Sequence, residues 1–122
     1  MGILTTAGKN IALDAVGGAI THVALHSGDP GATGAFNEIS GGSPAYARRV
    51  INWNAAASGN LDSSTSPEFD VPASTTVSHW SGWTASTGGT CLVTGALSAS
   101  ETFTAQGKYT LADADIAASD PA

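Results

Sequence analysis

Glycine, proline and small polar residues interrupt this chain so often that no stretch keeps one hydrophobic period beyond a single short element. Residues 19–26 are rich in β-branched side chains and alternate, with Ile20, His22, Ala24 and His26 on one face and Thr21, Val23 and Leu25 on the other. Residues 46–55 alternate again, setting Arg49, Ile51 and Trp53 against Arg48, Val50, Asn52 and Asn54. Further short runs follow at 68–71, 75–84 and 90–97. Segments 101–104 and 108–116 read as a hairpin around Ala105-Gln106-Gly107. About seven short strands with closely spaced turn signals predict an all-β, antiparallel sandwich-like fold. Only the N-terminus departs from this pattern. Over residues 5–16, Ile11, Ala12, Ala15 and Val16 form a helical stripe, Thr5 or Thr6 supplies a cap, and Gly17-Gly18 supplies a stop.

Of 122 residues, 65 are Ala, Gly, Ser or Thr and only 22 are Leu, Ile, Val or Phe. That is enough for one domain, residues 1–122, with a thin core. A formal charge of −6 is mild for this length, and three Trp argue for a folded chain. A small domain with so little apolar bulk completes its burial against copies of itself, so a homo-oligomer is expected. Ten acids against four scattered bases argue against an electrostatic nucleic-acid binder. No apolar stretch is long enough for a membrane span, and no basic segment followed by an apolar run marks a secretion signal. With Cys91 alone, neither an intrachain disulfide nor a thiolate zinc cluster can form, so the chain suits a reducing cytoplasm.

Residues 27–45 form a long connection with five glycines and two prolines that nonetheless contains Phe36 and Ile39. A free linker needs neither, so an ordered arm or Ω-type loop is expected, with Asp29-Pro30-Gly31 as a turn. Such an arm can lie across a neighbouring subunit. Deleting residues 31–42 should then abolish assembly and spare the folded monomer.

No motif of nucleophilic, phosphate-binding or zinc-protease chemistry is present. No catalytic residue, cofactor or metal site is therefore expected. His22 and His26 share a strand face about 13 Å apart, too far for one metal ion, although His79 could approach either. Asp113, Asp115 and Asp120 lack the glycine-turned spacing of a calcium loop. Arg48 and Arg49 point to opposite faces, leaving one of them to pair with Asp29 or Glu38 in the loop or with a neighbouring subunit's acid. Trp53, Trp80 and Trp83 fit core or interface packing better than sugar stacking. Trp80 and Trp83 have opposite parity, so at most one faces outward from a regular strand.

The stretch from Val23 to Trp53 carries Leu25-His26-Ser27, Asp29-Pro30-Gly31, Asn37-Glu38-Ile39 and the run from Gly41 to Arg48. It resembles a family of small tailed-bacteriophage virion proteins, of tail-fibre or head-decoration type, especially from phages of actinobacteria. The segments FDVPASTTVSH, STGGT and Tyr109-Thr110-Leu111, with the opening helix, extend the resemblance over nearly the whole chain. It departs at Trp80-Ser81-Gly82-Trp83, where the family often has Gly and an apolar residue before a strand Trp. The resemblance implies a non-enzymatic virion protein, assembled in the host bacterial cytoplasm. Its partners would be itself, as a homo-oligomer for which a trimer would fit, and the major capsid protein or other virion proteins. Capsid decoration is the first reading; the alternative is a tail-fibre or minor tail module that recognises host glycans through an exposed aromatic platform. Expected contact residues are Asp29, Pro30, Phe36, Asn37, Glu38, Tyr46, Arg48, Trp80 and Trp83.

Overall fold

The computed structural model describes residues 4–112 and 114–118. One helix, α1 (Thr6–Ala19), precedes eight strands: β1 (His22–His26), β2 (Arg49–Val50), β3 (Asn60–Asp62), β4 (Glu68–Val71), β5 (Thr75–Trp83), β6 (Cys91–Phe103), β7 (Gly107–Thr110) and β8 (Asp115–Ala117). β2, β1, β5 and β6 form an antiparallel sheet in that order, and two antiparallel ribbons, β3–β8 and β4–β7, accompany it. The all-β sandwich-like expectation holds. Between the layers lie Val23, Leu25, Val77 and Trp80 from the sheet, Phe69, Val71 and Leu111 from the ribbon side, and Ile20, Ile39 and Ile51 from connections.

Several sequence expectations are corrected. α1 does not stop at Gly17-Gly18 but runs through both to Ala19. A Cβ on Gly17 would lie 3.0 Å from the Leu61 side chain and 3.4 Å from Trp53, so close packing on β3 offsets glycine's low helix propensity. Thr5 is the cap, its hydroxyl accepting from the Gly8 amide at 3.2 Å. The helix buries Leu13, while Ile11, part of the apolar stripe read from the sequence, is 73% exposed.

The run at 46–55 collapses to the two-residue β2, because Ile51 bonds instead to the Thr21 carbonyl and Trp53 only bridges Ser63. β6 continues through 98–100 as one strand; its segment 101–103 pairs with the start of β5, not with 108–116. β7 pairs with β4 and β8 with β3, so the expected terminal hairpin is opened and shared between two ribbons.

Between the Val77–Glu101 and His79–Ala96 pairs the register shifts, and this bulge turns both Val77 and Trp80 into the core despite their odd spacing. Of the acidic group considered for calcium, Asp113 and Asp120 lie outside the described residues. Among the described residues, no three His, Cys, Asp or Glu side chains gather where a metal ion could be held.

Candidate functional site

The loop 27–45 is ordered, and its own chain holds it. Ser27 N–H donates to the Asn37 carbonyl at 2.9 Å and Ile39 N–H to the Leu25 carbonyl at 3.1 Å, so residues 37–39 extend the end of β1. Asp29 Oδ1 accepts from the Gly31 amide at 2.8 Å, closing the expected turn. Asn37 adopts φ +63°, a left-handed conformation Asn tolerates, and its side-chain amide donates to the Asp29 carbonyl at 3.0 Å. Pro30 is buried. Phe36, across Gly31, is 63% exposed.

Beneath the loop lies a polar network on the sheet face that points away from the sandwich core. His26 and Ser81 come together because His26 pairs with His79 across the β1–β5 register, and Ser81 is two residues along on the same face. Trp83 Nε1–H donates to Ser81 Oγ at 2.7 Å. Ser81 Oγ is also 2.7 Å from His26 Nε2, and His26 Nδ1 is 2.8 Å from the Phe36 carbonyl. A carbonyl only accepts, so Nδ1 carries the proton and Nε2 accepts the serine hydroxyl. Burial lowers the His26 pKa below 6.5, outweighing the Phe36 hydrogen bond and Glu38, which raise it. A neutral imidazole therefore completes the chain of bonds. His26 and Ser81 are each 0% exposed, so the pair is sealed from any substrate and fastens the loop to the sheet.

Arg48 closes the edge of this network. Its Nε and Nη2 donate to the two Glu38 oxygens, each at 3.0 Å, and Nη1 donates to the carbonyls of Ala85 and Gly88 at 3.2 and 2.9 Å. The guanidinium also stacks 3.8 Å from the centre of the Trp83 ring. Tyr46 joins loop to core. Its hydroxyl accepts from Leu25 N–H at 2.9 Å and donates to Glu38 at 3.0 Å, while its ring stacks on Phe69. Burial and the Glu38 carboxylate raise the Tyr46 pKa far above the usual phenol range. On the opposite side of the chain Arg49 meets Asp70 at 3.2 Å, with Lys108 on the other Asp70 oxygen at 3.0 Å. The two arginines thus point apart as their parity requires, and Glu38 is the acid that Arg48 finds.

The structure brings Glu38, Tyr46, Arg48 and Trp83 into one cluster, joined by His26 and Ser81. Asp29, Pro30 and Asn37 shape the loop, and Phe36 stands at its surface. Trp80 lies apart, in the core on the opposite sheet face. Opposite parity is correct for the two tryptophans, but neither faces solvent: each is 7% exposed. The sequence reading's aromatic platform at Trp80 or Trp83 is therefore overturned. Deleting 31–42 would remove buried Ile39 and the Glu38 carboxylate that neutralises Arg48, so the deletion should cost the monomer stability as well as the loop. Ser81, Asp70 and Gly34 were missed. A Cβ on Gly34 would meet Cys91 Sγ at 2.5 Å, a close approach no local pattern announces.

The fold and this network define a small β-domain that holds one surface loop in place. Residues 9–119 match the family model described as Gp80, podophage GP4 fiber I protein gp80, and the chain belongs to this family. It is thus a phage fibre-type virion structural protein. No curated protein matches the chain.

Proposed function

We propose that this chain is a module of a phage tail fibre, and that the loop 27–45 is its contact with neighbouring virion proteins. The match over residues 9–119 to a fibre protein family carries the reading and favours fibre over capsid decoration. The loop's rigidity supports the second half. Its fastening through His26, Tyr46 and Arg48 holds Phe36 exposed at little ordering cost on binding. Electron cryo-microscopy of the intact particle tests the location. Density along a fibre supports the proposal, and density on the head shell overturns it in favour of decoration. Phe36→Ala tests the contact: incorporation into particles should fall while the isolated domain keeps its thermal stability.

A further inference from the structure

β6 is an edge strand: it pairs with β5 on one side and, among the described residues, with no strand on the other. β7 and β8 likewise have one partner each, β4 and β3. These unpaired edges lie across a groove from one another. Its two adjoining hollows, of about 370 and 350 Å³, share Trp80, Ala96 and Asp115. Residues 93–98 line one wall, and 109–112 with 115–117 line the other. Successive residues of a strand point to opposite faces, so a groove lined by consecutive residues runs along the strand edges.

The groove opens into the core of the sandwich. Val93, Leu97, Tyr109 and Ile116 pack on that core yet stay only half-buried. Trp80 lies beneath, and Gly95 covers its indole so closely that a Cβ there would sit 2.6 Å from Nε1. Among the described residues the Trp80 Nε1–H meets no acceptor, and no unpartnered side-chain nitrogen or oxygen there is sealed from solvent, so this N–H reaches the groove. A side chain only 7% exposed thus keeps a donor for something that enters. From these observations we infer that the groove receives an extended segment of another polypeptide, which adds to β6 as a strand and lays apolar side chains over Trp80. The inference rests on the geometry of the sandwich and is independent of where the chain sits in the virion.

Backbone, shape and charge select this occupant. Every second residue of β6 turns its N–H and C=O outward, and over the six residues 93–98, about 20 Å, only an extended chain matches that spacing. Between Cys91 and Ser100 there is no charged residue and no proline, so apart from the bulge after Ala96 the edge lacks the devices that keep strands from pairing. A folded second copy fits less well, because its own β6 is recessed behind the same wall of residues 109–117. The rim is acidic. Asp115 lines both hollows, and Glu101 is close enough to Tyr109 to add to the rise in its pKa that burial causes. On a chain of net charge −6, a segment with lysine or arginine beyond its apolar stretch is therefore favoured over an acidic one.

Solution NMR of the full chain, titrated with the octapeptide Lys-Thr-Val-Thr-Val-Thr-Val-Lys, tests the inference. Without peptide, alternate amides over residues 93–97 should exchange with solvent at least about tenfold faster than their neighbours bonded to β5. The peptide should bind with Kd of about 1 mM or tighter, protect those amides and shift the Trp80 indole N–H resonance. The same peptide with Glu at both ends should bind about fivefold more weakly. Ala112 is exposed on the wall of one hollow, so Ala112→Trp should stay folded by circular dichroism, fill the groove and weaken binding at least about tenfold. No binding at about 5 mM peptide, binding that leaves the indole and the β6 amides unmoved, or an Ala112→Trp protein that binds as well as wild type would each overturn it. A peptide-free chain that dimerises with the same amides protected would overturn it in favour of a second copy.

Discussion

Replacing Arg48 by Ala removes four side-chain hydrogen bonds and the stacking on Trp83 in one step. The Arg48 side chain is 9% exposed and its partner Glu38 26%, so the stranded carboxylate is poorly but not fully desolvated. Removing one member of a buried ion pair costs about 3–5 kcal/mol, and partial solvation of Glu38 sets the lower end here. Loss of the cation–π contact adds about 0.5–1 kcal/mol, for a total near 3–4 kcal/mol. For a domain of this length each kcal/mol lowers Tm by about 4–5 °C, so a fall of roughly 12–20 °C is expected. Thermal unfolding followed by near-ultraviolet circular dichroism measures it and reports on the aromatic packing that includes Trp83. Arg48→Lys should recover less than half of the loss, because an ammonium cannot span both Glu38 oxygens or stack as a plane. A double-mutant cycle with Glu38→Gln should show a coupling of about 1–3 kcal/mol. An Arg48→Ala protein that melts within about 4 °C of wild type would refute the claim that this network fastens the loop.

The neutral His26 makes stability depend on pH. The unfolded chain takes up a proton at about 6.5 while the folded one resists it, so this contribution is complete above 6.5 and is lost as pH falls below it toward the lower folded value. Urea midpoints between pH 7.5 and 5 should decline, and His26→Gln should flatten that part of the profile. Cys91, whose pKa burial raises, should react with a disulfide reagent at pH 8 more slowly than a free thiol, and at the free-thiol rate once urea unfolds the domain. Gly34→Ala, at φ +72° and against Cys91, should destabilise by at least about 2 kcal/mol in chemical denaturation.

Strand character was legible from the sequence because a half-buried sheet writes its period of two into the residues, and β1, β4 and β5 fall close to where the alternation puts them. The turn at Asp29 and the opposite directions of Arg48 and Arg49 follow equally from local geometry. Partner choice did not follow. Segments 101–104 and 108–116 read as a hairpin because turn residues separate them, but β4 and β3 offer Phe69 and Leu61 as pairing faces, and burial of those side chains outweighs local closure. The helix passes through Gly17-Gly18 for the same reason, since packing on Leu61 exceeds what the glycines cost.

The sequence by itself determined the class of fold, the ordered loop and the scarcity of charged groups, all properties of single segments. Tertiary structure alone decided that His26, Ser81 and Trp83 meet, that Arg48 covers Trp83, and that Ile11 faces out. Each depends on which strands pair and in which register, and register is set by long-range burial of side chains far apart in the chain.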